Sequence, residues 1–302
     1  MPAAPAAFAR WRRGRGPAPA WWTIPVGIAL IAAVWAGWTA LLIGAAMLVT
    51  MVGGAEPLSA VARLQIALVP GAPGTLAFAL ASYAGLWPGA WLAMRLLHGV
   101  DGARLLGPRR RPEMRPFLIG AALGAGAYAL AMLPALALVG QPEATPLDRG
   151  VWAFWLLPLA LLILVQSGGE EVVFRGWMTW ALARMTPSPL VWAVLPAAAF
   201  GALHYAPGMP GLTPLLYVAT TLCFGLTAAA LVWRTGGLSA PMGLHAGFNL
   251  PALTLVGLEG VVPGGRLWSY PGTLAEPLIA ADFAASLALL ALVLSRVCPV
   301  GR

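Results

Sequence analysis

Apolar residues run through this chain in long blocks, not in alternation and not as one stripe of an amphipathic pattern. Eight blocks are separated by short polar or basic stretches: 24–52, 64–97, 117–139, 151–182, 190–205, 212–233, 238–258 and 278–297. The second is interrupted by Pro70, Gly71 and Pro73. About 20 apolar residues in a helix cross the hydrocarbon of a bilayer. The pattern therefore predicts an all-α polytopic membrane protein, a bundle of about eight transmembrane helices. The first block is too long for the apolar core of a cleavable signal peptide and reads as a retained span. Residues 1–23, rich in Ala, Pro and Arg, read as a disordered cytoplasmic tail, 24–297 as one transmembrane domain, and 298–302 as a short C-terminal tail.

Composition strengthens that picture. Of 302 residues, 60% are hydrophobic and 9% charged, against roughly 45–50% and about 25% in a soluble domain. Mean hydropathy is +0.82. A soluble enzyme is excluded, and so is a wholly disordered chain, which needs low hydrophobicity and high charge.

The net charge of +8 comes from eighteen arginines and no lysine. They cluster at block ends, with Arg10, Arg12, Arg13 and Arg15 before the first block and Arg104, Arg109, Arg110, Arg111 and Arg115 in one loop. Basic loops are retained on the cytoplasmic side. With the N-terminus inside, eight spans put the C-terminus inside too. Fourteen arginines then face the cytoplasm, Arg63, Arg149 and Arg266 face outward, and Arg175 lies within a span. The expected location is the inner membrane of a bacterium, with both termini cytoplasmic and the lipid bilayer as surroundings. This distribution does not point to nucleic acid. Cys223 and Cys298 lie far apart and form no metal-binding spacing.

The chemistry sits where charge breaks the apolar blocks. Glu170, Glu171 and Arg175 fall in the fourth, His204 in the fifth, and His245 with Asn249 in the seventh. A charge at mid-span costs about 2.5–3.5 kcal/mol on insertion scales, so several together need partners or a use. Glu171 and Arg175, Phe200 and His204, and His245 and Asn249 are each four apart, on one helical face. Gly243 and Gly247 fall on the opposite side from His245 and Asn249, a flat back that could seat against a neighbouring helix. At ~1.5 Å per residue, Glu170 and His204 lie roughly 21 Å from the cytoplasmic ends of their blocks, and His245 and Asn249 roughly 12 and 18 Å. These groups can share one site.

Glu171, opposite Arg175, reads as half of a structural ion pair. That leaves Glu170 as a general base, with His204 helping to hold and polarise a water. His245 and Asn249 could stabilise a tetrahedral oxyanion. The reaction class is hydrolysis of a peptide bond within or beside the membrane.

Glu-Glu-Val-Val-Phe-Arg-Gly at 170–176, Phe-Gly-Ala-Leu-His at 200–204 and His-Ala-Gly-Phe-Asn at 245–249 resemble the EExxxR, FxxxH and HxxxN motifs of one family. It is the CAAX-prenyl-protease and bacteriocin-processing (CPBP, or Abi) family of intramembrane endopeptidases. The resemblance covers about 150–255 and carries all three motifs in order. It implies proteolysis at a membrane-embedded cavity, Glu170 and His204 activating water, and His245 and Asn249 lining the oxyanion site. Glu171, Arg175 and Phe200 take supporting roles. The family has been described both as metalloproteases and as metal-free glutamate proteases. Zinc on Glu170, His204 and His245 stays open beside a metal-free route, which Asn249, a poor zinc ligand, favours. The substrate would be a membrane protein or peptide; its identity and the oligomeric state are left open. Two other readings use the same residues: a non-catalytic scaffold or immunity factor, and a proton-coupled transporter. The transporter would require a repeat of the charged pattern in the first half, and the first three blocks show none.

Overall fold

The computed structural model describes residues 5–13, 18–52, 72–259, 264–295 and 298. Residues 64–71 of the second expected span, along with Arg15, Arg63, Arg296 and Arg302, lie outside the described residues. Helix α1 is Ala6–Arg12 and α2 is Thr23–Val52. Helix α3 runs Pro73–His98, α4 Met114–Leu138, and α5 Arg149–Met185. They are followed by α6 Leu190–Ala202, α7 Thr213–Thr235, α8 Ser239–Thr254 and α9 Ala275–Leu294. Strands β1 (Glu143–Ala144), β2 (Val256–Leu258) and β3 (Trp268–Tyr270) form a small sheet in the order β1-β3-β2.

The protein is an all-α integral membrane bundle. Among the described residues, six helices are long and apolar enough to cross a bilayer: α2, α3, α4, α5, α7 and α9. The fifth and seventh expected spans come out shorter. Ala-Pro-Gly-Met-Pro-Gly at 206–211 breaks the helical pattern beyond α6. Helix α8 is 16 residues, or about 24 Å against a hydrocarbon core of about 30 Å. The apolar residues that follow it enter β2 instead.

Cross-chain hydrogen bonds define the two ends of the bundle. At one end the sheet gathers the segments after α4, after α8 and before α9. At the other, Leu238 N–H donates to Leu106 O (3.3 Å) and Glu113 N–H to Ser239 Oγ (2.8 Å), joining the Arg-rich loop to the α7–α8 turn.

Helix α1 closes this second end. The N-terminal tail is expected to lack structure, yet its residues Ala6–Arg12 are helical, with Phe8 and Trp11 each 1% exposed. The two rings are three residues apart and share a face. Trp11 Nε1 donates to Leu105 O (3.2 Å), and Phe8 packs on Trp192 with ring centroids 4.9 Å apart. Two aromatic residues suffice to fix seven because the bundle offers an apolar floor beneath them.

Helices α4 and α8 cross at closest range. Gly120 and Gly124 of α4 face the α8 backbone at Ala240 and Leu244, while Gly243 and Gly247 of α8 face Phe117 and Ala121 of α4. A Cβ at any of the four would land on the other helix's main chain. Small residues let helices approach where lipid offers no hydrophobic drive. The contact turns the opposite face of α8, with His245, toward α5.

Candidate active site

Helix α5 begins under a strong cap: Asp148 Oδ1 accepts from Gly150 N (2.8 Å) and Val151 N (3.0 Å). Its first turns are partly exposed, whereas residues 166–183 are buried without a break. Gly168 and Gly169 admit α3 against this stretch, with Trp87 over Gly168 and the Tyr83 carbonyl over Gly169. Trp87 Nε1 donates to Val165 O at 2.9 Å. Immediately after Glu171 the helix widens into a π-turn, Val172–Met178. Such a turn re-aims side chains and is frequent at functional sites.

Glu171 is fully buried, and its Oε1 is shared. It accepts from His245 Nδ1 at 2.9 Å and lies 3.2 Å from Arg175 Nη1. Arg175, 1% exposed, lays its guanidinium 4.1 Å from the centre of the Phe200 ring and 5.8 Å from that of Phe174. Phe200 thus covers a buried cation instead of merely filling space.

His245 stands between the two glutamates. With Nδ1 bound to Glu171, its Nε2 faces Glu170 Oε2 at 3.5 Å. Phe224 and Phe200 flank the imidazole at 5.1 and 6.0 Å, and these contacts fix its plane. Glu170 Oε2 is buried and accepts no hydrogen bond from any described residue. That oxygen is open to a water or a substrate proton.

His204 lies just past the end of α6, half-buried. Its Nδ1 is 2.8 Å from Phe200 O. A carbonyl only accepts, so Nδ1 carries the hydrogen and Nε2 of the neutral ring is left as an acceptor. The ring packs on Phe200 (4.6 Å) and edge-on to Tyr217 (5.7 Å). His204 makes no hydrogen bond to Glu170; Phe200, which touches both His204 and His245, joins the two histidines.

Asn249 is half-buried and donates through Nδ2 to Gln166 Oε1 at 3.1 Å. Gln166 Oε1 also accepts from Ser167 Oγ at 3.2 Å. Sequence reasoning passed over Gln166, although a buried amide one turn before Glu170 in an apolar block is the same signal that marked the glutamate. It also passed over Asp282, an aspartate inside α9 whose Oδ1 is buried and accepts no hydrogen bond from the described residues.

No three His, Cys, Asp or Glu side chains converge as a metal cage among the described residues. Glu170 and His245 approach each other, but His204 turns its Nδ1 to a backbone carbonyl. The arrangement as it stands does not fit zinc held by Glu170, His204 and His245.

Residues 152–251 match the family model described as type II CAAX prenyl endopeptidase Rce1-like. The motif-bearing segment is similar to that family. The match contains every residue of the cluster above, from Gln166 to Asn249, and bears out the family resemblance carried by the three motifs. An uncharacterized protein, YyaK of Bacillus subtilis (strain 168), is 26% identical over 201 residues, which cover 65% of this chain and 66% of that protein. The chain therefore spans just under two thirds of this curated relative. No solved structure matches. The matched segment runs from the first turn of α5 through most of α8, and helices α2, α3, α4 and α9 lie outside it.

Proposed function

We propose that the protein is an intramembrane endopeptidase of CAAX-protease type, hydrolysing a peptide bond in a membrane-associated protein or peptide. The observation that supports this most directly is the buried Glu170 Oε2. It is a carboxylate oxygen with no protein donor among the described residues, beside an imidazole whose orientation Glu171 fixes. Glu171 Oε2 is likewise without a donor among the described residues, but Glu171 is held through Oε1 by His245 and Arg175, whereas Glu170 has only the 3.5 Å approach to His245 Nε2.

Glu170 takes a proton from a water that the Nε2 acceptor of His204 helps to orient. The water oxygen bonds to the scissile carbonyl carbon, and the C=O electron pair moves onto oxygen. That oxyanion is stabilised by Asn249 Nδ2 and by His245 in its imidazolium form, in which Nε2 carries a hydrogen as well as Nδ1. As the C–N bond breaks, Glu170 returns its proton to the leaving amine, so base and acid are one residue. Arg175 and Glu171 hold the imidazole in place and offset one of the two buried negative charges.

The protein would sit in the bacterial inner membrane with the arginine-rich end and both termini in the cytoplasm, as the distribution of arginines indicates. The test is a comparison of membrane-fraction peptides and new N-termini in cells making wild type or Glu170→Gln at equal levels. Termini that appear only with wild type are expected. General-base catalysis supplies about 10²–10⁴ in rate, so Glu170→Gln should leave cleavage below detection while the protein inserts and melts normally. A folded Glu170→Gln variant that cleaves at the wild-type rate would overturn the mechanism.

A further inference from the structure

Helix α1 is flanked by arginines that the site does not use. On one side, a cleft of about 390 Å³ is lined by Arg12 and Arg13 from the N-terminal segment, by Arg184 at the end of α5 and by Thr186 and Pro187 just after it. A smaller cleft on the other side, about 130 Å³, is lined by Arg10, Arg104 and Arg110 together with Trp11. Among the described residues no aspartate or glutamate lines either cleft, although Arg110 of the smaller one pairs with Asp101 Oδ2 at 3.4 Å. A hollow with three arginines in its lining favours an anion with several acceptor oxygens.

The surroundings identify the source of that anion. Ala18 closes the larger cleft, and Trp21 and Trp22 follow it at the start of α2, 78% and 48% exposed. Exposed tryptophans at the end of a span mark the headgroup layer. From that point α2 presents exposed apolar surface, including Val26, Ile28 and Trp35. A ligand in the cleft has cationic groups around its head and an acyl-compatible surface beside it. A soluble phosphate would use only the first.

We infer that the Arg12–Arg13–Arg184 cleft binds the phosphate of an anionic phospholipid headgroup. The bound lipid clamps α1 onto the end of the bundle, since Arg12 already spans to α5 through Nη1 to Ala183 O (3.3 Å), and Arg104 reaches across to the Arg13 carbonyl.

The test uses the purified full chain in neutral detergent, with thermal unfolding followed against added phosphatidylglycerol, phosphatidylcholine or inorganic phosphate. Saturable stabilisation by phosphatidylglycerol alone is expected. Arg13→Gln with Arg184→Gln should raise the half-saturating lipid concentration about thirty-fold, equivalent to about 1 kcal/mol per arginine. The charge-matched pair Arg111→Gln with Arg115→Gln, both exposed and outside the clefts, should raise it no more than about five-fold. Equal weakening by the two pairs would reduce the effect to a general basic surface and overturn the site. Equal stabilisation by phosphatidylcholine or by inorganic phosphate would overturn the lipid assignment. Should the first pair fail to fold, Arg13→Gln alone is read the same way, with about a five-fold shift expected.

Discussion

Helices α2 and α5 are both long and apolar enough to cross a membrane, yet they solve opposite problems. Helix α2 buries only Thr23, Gly27 and Ile31, and shows Trp35, Trp38, Leu41, Leu48 and Val52 outward. Helix α5 buries every residue from 166 to 183. The first carries no charged residue over 30 positions; the second carries two glutamates and an arginine within six. A helix facing lipid needs only apolar surface, because no neighbour can satisfy a polar group there. A helix enclosed by protein can hold charge because α3, α6, α7 and α8 bring partners to it. Enclosure, more than hydropathy, decides where chemistry can sit.

The sharpest way to break that contrast is to remove one of the enclosed partners. Arg175→Met takes away the cation beside Glu171 and leaves a fully buried carboxylate with only His245. Removing one partner of a buried pair costs about 3–5 kcal/mol. Thermal unfolding in detergent should show a large fall in midpoint, with insertion lost in the worst case. Adding Glu171→Gln to Arg175→Met should recover part of the loss, since the stranded charge goes with it. A single variant that melts like wild type would mean that Glu171 and Arg175 do not depend on each other.

Much of this arrangement was legible in the sequence because charge inside an apolar block has no innocent explanation. Glu171 and Arg175 are four apart, so their contact follows from helical geometry alone. The hydrogen bond between Glu171 and His245 is different. It joins residues 74 apart and depends on how α8 is turned, which the crossing of Gly120 and Gly124 with Gly243 and Gly247 decides. The glycine spacing was visible, but not which pair met which. The lengths of α6 and α8 were overestimated because hydropathy continues through Leu203–Tyr205 and through Val256–Leu258, where the chain is no longer helical. Helix α1 was hidden because two aromatics among Ala, Pro and Arg form no period. Asp282 and Gln166 needed no structure to be found, only the same rule applied to every block.

A smaller effect is expected at Gln166. Its Oε1 receives Asn249 Nδ2, so it orients that amide without itself reaching the reacting atoms. Gln166→Leu keeps the volume but leaves the Asn249 donor unpaired in a partly buried place, which costs about 1–3 kcal/mol. With a cleavable peptide in hand, kcat should fall roughly ten-fold or more while KM changes little, because the oxyanion donor is needed in the transition state alone. Gln166→Glu, which still accepts from Asn249, should restore part of the rate. A rise in KM with kcat unchanged would place Gln166 in substrate binding instead.

The finest test applies one substitution to both helices. Leu182 of α5 is 5% exposed and Leu41 of α2 is 68% exposed. Leu182→Ala opens a cavity in a packed interior and should cost about 2–5 kcal/mol. Leu41→Ala trades contacts with lipid tails, which are as apolar as leucine itself, and should stay within about 0.5 kcal/mol. Unfolding midpoints of the two variants, measured in one detergent, give the comparison directly. If Leu41→Ala proved as damaging as Leu182→Ala, the outer face of α2 would be covered by protein in the membrane. The contrast between the two helices would then describe a single chain, while in the assembly both would be enclosed.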